Sequence, residues 1–256
     1  MTAATASTLA PSPAPAVRRV LAQARFETGI LLRNGEQLLV SIVLPALALV
    51  GLTKAPSPDL GSGPRVDVVV PGILALAVLS SAFTGQAIQT GFDRRYGVLR
   101  MLGTTPLGRG GLLLGKALAV VAVLVLQVVV LGAIGLVMGW SPHLTGVPAA
   151  VLMGLAGTAA FVAIALLVAG TLRAEAVLAV ANLLWVLLLA GGAVVLPARH
   201  LPSGLEQVAP WLPSGALGQG LRAALGSGTL DVRSLLVLLG WTVGAGLLAR
   251  RTFRWG

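Results

Sequence analysis

A chain of 256 residues that is 56% hydrophobic and only 10% charged cannot dress a water-facing surface, for which soluble domains use about 25% charged residues. With a mean hydropathy of +0.94, composition alone makes it an integral membrane protein. The excess of 18 Lys+Arg over 8 Asp+Glu does not imply nucleic acid, because the basic residues cap apolar runs and form no stripe interleaved with aromatics.

The sequence has no cysteine, which excludes disulfides, thiol catalysis and Cys-ligated metal. The two histidines, His143 and His200, sit in short loops with no carboxylate motif to make them a metal site.

In chain order, residues 1–16 are low-complexity Ala, Thr, Ser and Pro, expected to be a disordered tail. They lack the positive region and apolar core of a signal peptide. Residues 17–36 read as an amphipathic helix at the membrane interface. Val17, Leu21, Ala24, Ile30 and Leu31 can share one face, with Arg18, Arg19, Arg25 and Arg33 around the other.

Six apolar stretches follow, near 37–53, 68–90, 112–138, 147–170, 177–196 and 232–249. The first is short for a bilayer, which takes about 20 residues, and Pro45 predicts a kink in it. The second ends in small and polar residues, among them Ser80, Ser81, Thr84, Gln86 and Gln89. Such groups are costly against lipid and should face protein or a water-filled route. Gln127 in the third stretch and Asn182, read as buried near the start of the fifth, pose the same alternative. Each either lines a route or bonds between helices.

Residues 197–231 are too polar to span and are broken by Pro202, Pro210 and Pro213. They stay amphipathic through Leu205, Trp211, Leu217, Leu221 and Leu225, which predicts short re-entrant helices half-sunk in the outer leaflet. The predicted fold is thus an all-α integral membrane protein. It has six transmembrane helices, an N-terminal amphipathic interfacial helix, and short outer-leaflet helices before the last span. One domain covers 17–256.

Residues 91–116, GFDRRYGVLRMLGTTPLGRGGLLLGK, form a basic insert between spans two and three. Placing both termini, this insert and 171–176 on the cytoplasmic side puts thirteen of the eighteen basic residues inside. Only Lys54, Arg65, Arg199, Arg222 and Arg233 remain outside. That bias follows the positive-inside rule. Within the insert, residues 93–103 read as a short helix along the inner face, ended by Gly103 and Pro106.

Two kinds of chemistry drop out. Gly110 to Ala117 matches GxxxxGK, but Ala117 stands where a Ser or Thr must reach Mg²⁺. The segment also runs from a basic loop into a span rather than from a strand into a helix. Lys116 is read instead as an interfacial anchor. No Ser/His, paired Asp or HExxH set falls at membrane depth. The carboxylates fall at span ends or in loops, unlike those of a proton-coupled carrier.

The order of elements and the insert together resemble the membrane subunit of a type-2 ABC exporter. The residues that carry the resemblance are Gly97, Leu99, Thr105, Pro106, Leu107, Gly115 and Lys116. Val98 replaces the family's usual Thr, and Arg95 stands where Glu is frequent. The stretch LPSGLEQVAPWLPSGALGQGLRAAL is similar to the family's outer-leaflet helices.

The resemblance implies a permease with no cofactor of its own, driven by a separate ATP-binding cassette ATPase that binds ATP and Mg. It implies two permease copies per working unit, as a homodimer or with a second permease, in the plasma membrane with both termini cytoplasmic. It makes the insert the ATPase-coupling loop, through Asp93, Arg94, Arg95, Gly97, Leu99, Arg100, Thr105 and Pro106. Arg94, Arg95 and Arg100 are expected to meet acidic partner groups or lipid phosphates, Leu99 and Leu102 to pack on the spans, and Gly97 to allow close backbone approach. Ser81, Thr84, Gln86, Gln127 and Asn182 are the candidates to line a translocation route. The alternative is a membrane-embedded structural or assembly protein without transport activity.

Overall fold

The computed structural model describes residues 14–35, 39–60, 63–103 and 105–253, and among these there is no strand. The expected tail through residue 13, Glu36, Thr104 and the basic end at Arg254 lie outside the described residues, as do the side chains of Leu102 and Arg109.

The chain opens with α1 (Ala16–Arg33). A π-helical stretch, Leu39–Val43, leads into α2 (Leu44–Lys54). Pro45 lies in the first turn of α2, where a missing N–H costs least. Then α3 (Arg65–Val78), a π-helical stretch Leu79–Gly85, and α4 (Gln86–Arg95) form one continuous helix. The short α5 (Val98–Gly103) and long α6 (Gly108–Val137) follow. Next come α7 (Val147–Thr171) and α8 (Ala174–Gly191). The short α9 (Ser203–Val208) and longer α10 (Pro213–Ser227) precede the last helix, α11 (Val232–Thr252).

Among the described residues, five helices are long and apolar enough to cross a membrane: Arg65–Arg95, Gly110–Val137, Leu144–Thr171, Ala174–Gly191 and Val232–Thr252. The expected first span is a shorter apolar helix, Ser41–Lys54, about 21 Å long at 1.5 Å per residue. That falls short of the roughly 30 Å hydrocarbon core.

The expected helix over 93–103 is two pieces. Residues 93–95 continue α4 out of the span, and the chain turns at Tyr96-Gly97 before α5 begins at Val98. Gly97 has φ +72°, and a Cβ there would meet nothing within 4 Å. Its glycine serves the left-handed turn.

The α3–α4 helix is the axis of the bundle. Its apolar window is 78% buried, against 17% for α8. Ile73, Leu79, Phe83 and Ala87 are fully enclosed along it. It joins Met153 and Phe161 of α7 and Leu217 of α10 in one core. Of the apolar residues assigned to one face of α1, Ala24 and Leu31 are buried, while Val17, Leu21 and Ile30 are exposed. Leu31 packs with Ala119 and Val123 of α6, so α1 runs alongside the first turns of that helix.

The bundle has two ends. One gathers α1, the tip of α4, α5, the start of α6, the α7–α8 turn and the end of α11. The other gathers the turn after α2, the turn after α6, and residues 192–231. At that second end Ser141 N donates to Asp67 Oδ1 (3.1 Å) and His143 N donates to Leu225 O (2.9 Å). Trp241 Nε1 reaches Trp211 O (2.9 Å).

Candidate functional site: the charged end of the bundle

Helix α4 leaves the core carrying Asp93, Arg94 and Arg95 in its last turn. The two arginines turn toward the α7–α8 connection. Arg94 Nη2 donates to the Leu172 carbonyl, and Arg95 Nη1 pairs with Glu175. Each of the two thus has a bond within the chain. The Arg95–Glu175 pair is exposed on both sides, 49% and 67%, and so adds little stability.

Beyond the turn, Leu99 of α5 is 1% exposed and anchors that helix to the bundle. Arg100 is exposed, as are Tyr96 at 71% and Met101 at 64%. Phe92 stacks on Tyr96 with centroids 6.2 Å apart, and Arg95 sits 5.9 Å from the Tyr96 ring centroid. Thr105 and exposed Pro106 close the loop through a turn in which Gly108 N donates to Thr105 O (3.1 Å).

Asp93 points elsewhere. Lys116 Nζ lies 2.6 Å from Asp93 Oδ2 and 3.0 Å from Glu27 Oε1, with the lysine only 3% exposed. Lys116 is thus no interfacial anchor. It is a buried cation between two carboxylates, one from α1 and one from α4. Gln23 Nε2 and Gln89 Nε2 each donate to Glu27, both at 2.9 Å. Gln86 Nε2 donates to Gln89 Oε1 (3.3 Å). A buried ion pair persists only when its remaining lone pairs are satisfied, and the two glutamines do that for Glu27. Glycine makes the approach possible, because a Cβ on Gly115 would sit 2.7 Å from Gln23 Cγ.

The polar residues of the spans divide. Ser81 Oγ donates to Gln127 Oε1 (3.1 Å), and Gln127 Nε2 donates to Ser41 O (2.8 Å). Both therefore bond between helices, beside a cavity of about 20 Å³ lined by Ser41, Ser81 and Gln86. Ser80 accepts from Trp185 Nε1 (3.0 Å). Thr84 Oγ1 is buried with no hydrogen-bond partner among the described residues. Asn182 is exposed on α8, which corrects its expected burial. The structure does not bring it into the Ser81–Gln127 cluster.

Sequence reasoning missed Glu27, Gln23, Tyr96 and Met101, and gave Lys116 an anchor's place. The first was detectable, since Ala24, Glu27 and Leu31 recur at helical spacing and put a carboxylate inside an apolar stripe.

A helical bundle with five membrane-length apolar helices and a buried charge cluster at one end is an all-α membrane protein. The particular family follows from comparison. Residues 54–251 match the family described as ABC-2 family transporter protein, and the chain belongs to that family as a membrane transport component. No match emerges among curated proteins.

Proposed function

We propose that the chain is the permease subunit of an ABC exporter, forming the translocation route and driven by a separate ATP-binding cassette ATPase. ATP and Mg belong to that partner. The observation that carries the reading, beside the family, is the junction of α4 and α6. There Leu99 is locked inward while Tyr96, Arg100 and Met101 face out. Aromatic, Arg and Met side chains are the types enriched at protein interfaces. The same junction connects rigidly to the bundle axis through α4 and to α1 through Asp93–Lys116–Glu27. A push on α5 would therefore reach the core through α4 and α6 together.

In this reading the charged end is cytoplasmic, as the positive-inside bias supports, and two permease copies pair in the plasma membrane, as a homodimer or with a second permease. Arg100→Glu combined with Tyr96→Ala should leave membrane levels normal and cut co-purification with the ATPase and export. Unchanged association and unchanged export would overturn the coupling role. The chain's lack of cysteine makes orientation directly testable. Cysteines at Ser57 and Ser203 should react with an impermeant thiol reagent on intact cells, and one at Tyr96 should not. Labelling of Tyr96 in sealed cells would reverse the orientation.

A further inference from the structure

A groove of about 800 Å³ runs between α6, α7 and α11. Its walls include Leu113 and Val121 of α6, Leu155 and Val162 of α7, and Gly246 of α11, and Arg250 stands at the charged end. The groove contains two hydroxyls, but neither has a proton free to donate to a ligand. Thr158 Oγ1 donates to Gly154 O (2.7 Å) and Thr242 Oγ1 donates to Leu238 O (2.8 Å). Along its length the groove therefore offers apolar contact, and at one end it offers a cation.

The charges around that end set what the cation meets. Three described acids lie at this end of the bundle, and each is taken. Glu27 and Asp93 hold Lys116, and Glu175 holds Arg95. Arg250 and its neighbour Arg251 are exposed, and neither forms an ion pair among the described residues. Among the described residues no acid is left at this end to meet them.

We propose that this groove holds one anionic phospholipid of the surrounding leaflet, with an acyl chain between α6, α7 and α11 and its phosphate on Arg250. Basic pockets between membrane helices bind anionic headgroups by this combination of a slot and a cation. A second copy of the chain fits less well. Copies related by a twofold axis along the membrane normal would bring their basic ends together at this groove, with no acid among the described residues left to offset them.

The test uses the whole chain purified in mild detergent, stripped of lipid and titrated with phosphatidylglycerol or phosphatidylcholine, with bound lipid counted by native mass spectrometry. Wild type should bind one phosphatidylglycerol per chain in preference to phosphatidylcholine. Arg250→Ala should weaken phosphatidylglycerol binding about fivefold, as expected for one basic residue near a lipid surface, and leave phosphatidylcholine unchanged. Arg250→Lys should retain the preference. Gly246→Leu should abolish retention of either lipid. A Cβ at Gly246 meets nothing within 4 Å, so the new side chain enters the groove without forcing the fold.

Equal binding of the two lipids by wild type overturns the proposal. So does phosphatidylglycerol binding that survives both Arg250→Ala and Gly246→Leu, or loss with Gly246→Leu alone. A Gly246→Leu chain that changes oligomeric state while its lipid count stays constant would assign the groove to a second copy instead. None of these readouts depends on an ATPase or on export, so they stand apart from the permease reading.

Discussion

Where α1, α4 and α6 meet, the helices are tied by side chains. Lys116 holds Glu27 and Asp93, Gln23 and Gln89 complete the carboxylate, and Arg95 reaches Glu175. At the opposite end the segment 192–231 is tied by backbone. After α8 the chain unwinds through Gly192, Ala193 and Val194, all buried. Ala193 takes φ 50°. A Cβ on Gly72 of α3 would overlap the Val195 carbonyl, one on Gly146 the Ala224 carbonyl, and one on Gly215 the Ala209 carbonyl. Two arginines of the segment add to this by donating to backbone carbonyls: Arg222 to Val194 O (2.9 Å) and Ala193 O (3.0 Å), and Arg199 to Leu60 O (2.5 Å). Unwound backbone at this depth is tolerated only where protein satisfies it. Ion pairs on rotatable stems can exchange partners as helices slide. Backbone packed on backbone cannot yield without parting. The contrast fits an end that receives motion and an end that stays closed.

The largest effect should come from removing the central cation. Lys116→Met leaves two carboxylates facing each other, one of them nearly fully buried. Breaking a buried pair in this way costs about 3–5 kcal/mol, and the folded fraction in gel filtration should collapse. The triple change Glu27→Gln, Asp93→Asn, Lys116→Met removes the unpaired charges and should recover folded protein. If Lys116→Met alone folds as wild type, the charged end is not held as described.

Next come the glycines of the opposite end. Gly146→Ala and Gly215→Ala each press a methyl against a carbonyl that has no room to retreat, an overpacking that costs about 1–3 kcal/mol. Gly154→Ala, whose Cβ meets nothing within 4 Å, is the matched control. It should be neutral or slightly stabilising through higher helix propensity. Equal melting of all three variants would remove the distinction between the two ends.

Much of this fold was legible because its signal is local. Runs of apolar residues long enough to span gave α3–α4, α6, α7, α8 and α11, and Pro210 and Pro213 marked the break between α9 and α10. What sequence could not give were pairings across distance. Glu27 meets Lys116 only once α1 lies along α6. Asn182 was read as buried because an amide is costly in lipid, yet α8 is the least enclosed span of the single chain. The boundary of α5 moved because α4 continues three residues past where the basic run suggested a new helix.

A smaller effect belongs to Arg222. Burial pushes its guanidinium down to about 10. The folded value lies below the unfolded one, so the unfolded chain binds the proton more tightly, and stability from this group rises only as pH climbs above 10. Below that both states are charged, and no pH dependence from Arg222 should appear between pH 6 and 9. Arg222→Met should leave the Ala193 and Val194 carbonyls without these donors, at a cost of about 1–3 kcal/mol. Proteolysis near residues 192–198 should report the loosening before global melting does. Unchanged protection there would mean that glycine packing alone holds the segment.

The smallest effect on stability should come from Arg95→Gln. Its partner Glu175 and the arginine itself are both largely in the open, and such pairs contribute about 0–1 kcal/mol, less as salt rises. Melting should therefore shift little, and raising the ionic strength should erase what shift there is. The change still cuts a tie between the tip of α4 and the α7–α8 turn, leaving Arg94 and the Leu172 carbonyl as the described hydrogen bond between them. If ties at this end serve movement rather than stability, Arg95→Gln should alter ATPase-stimulated export while melting as wild type. A variant that lost stability and export in proportion would show that this end is merely a weaker copy of the other.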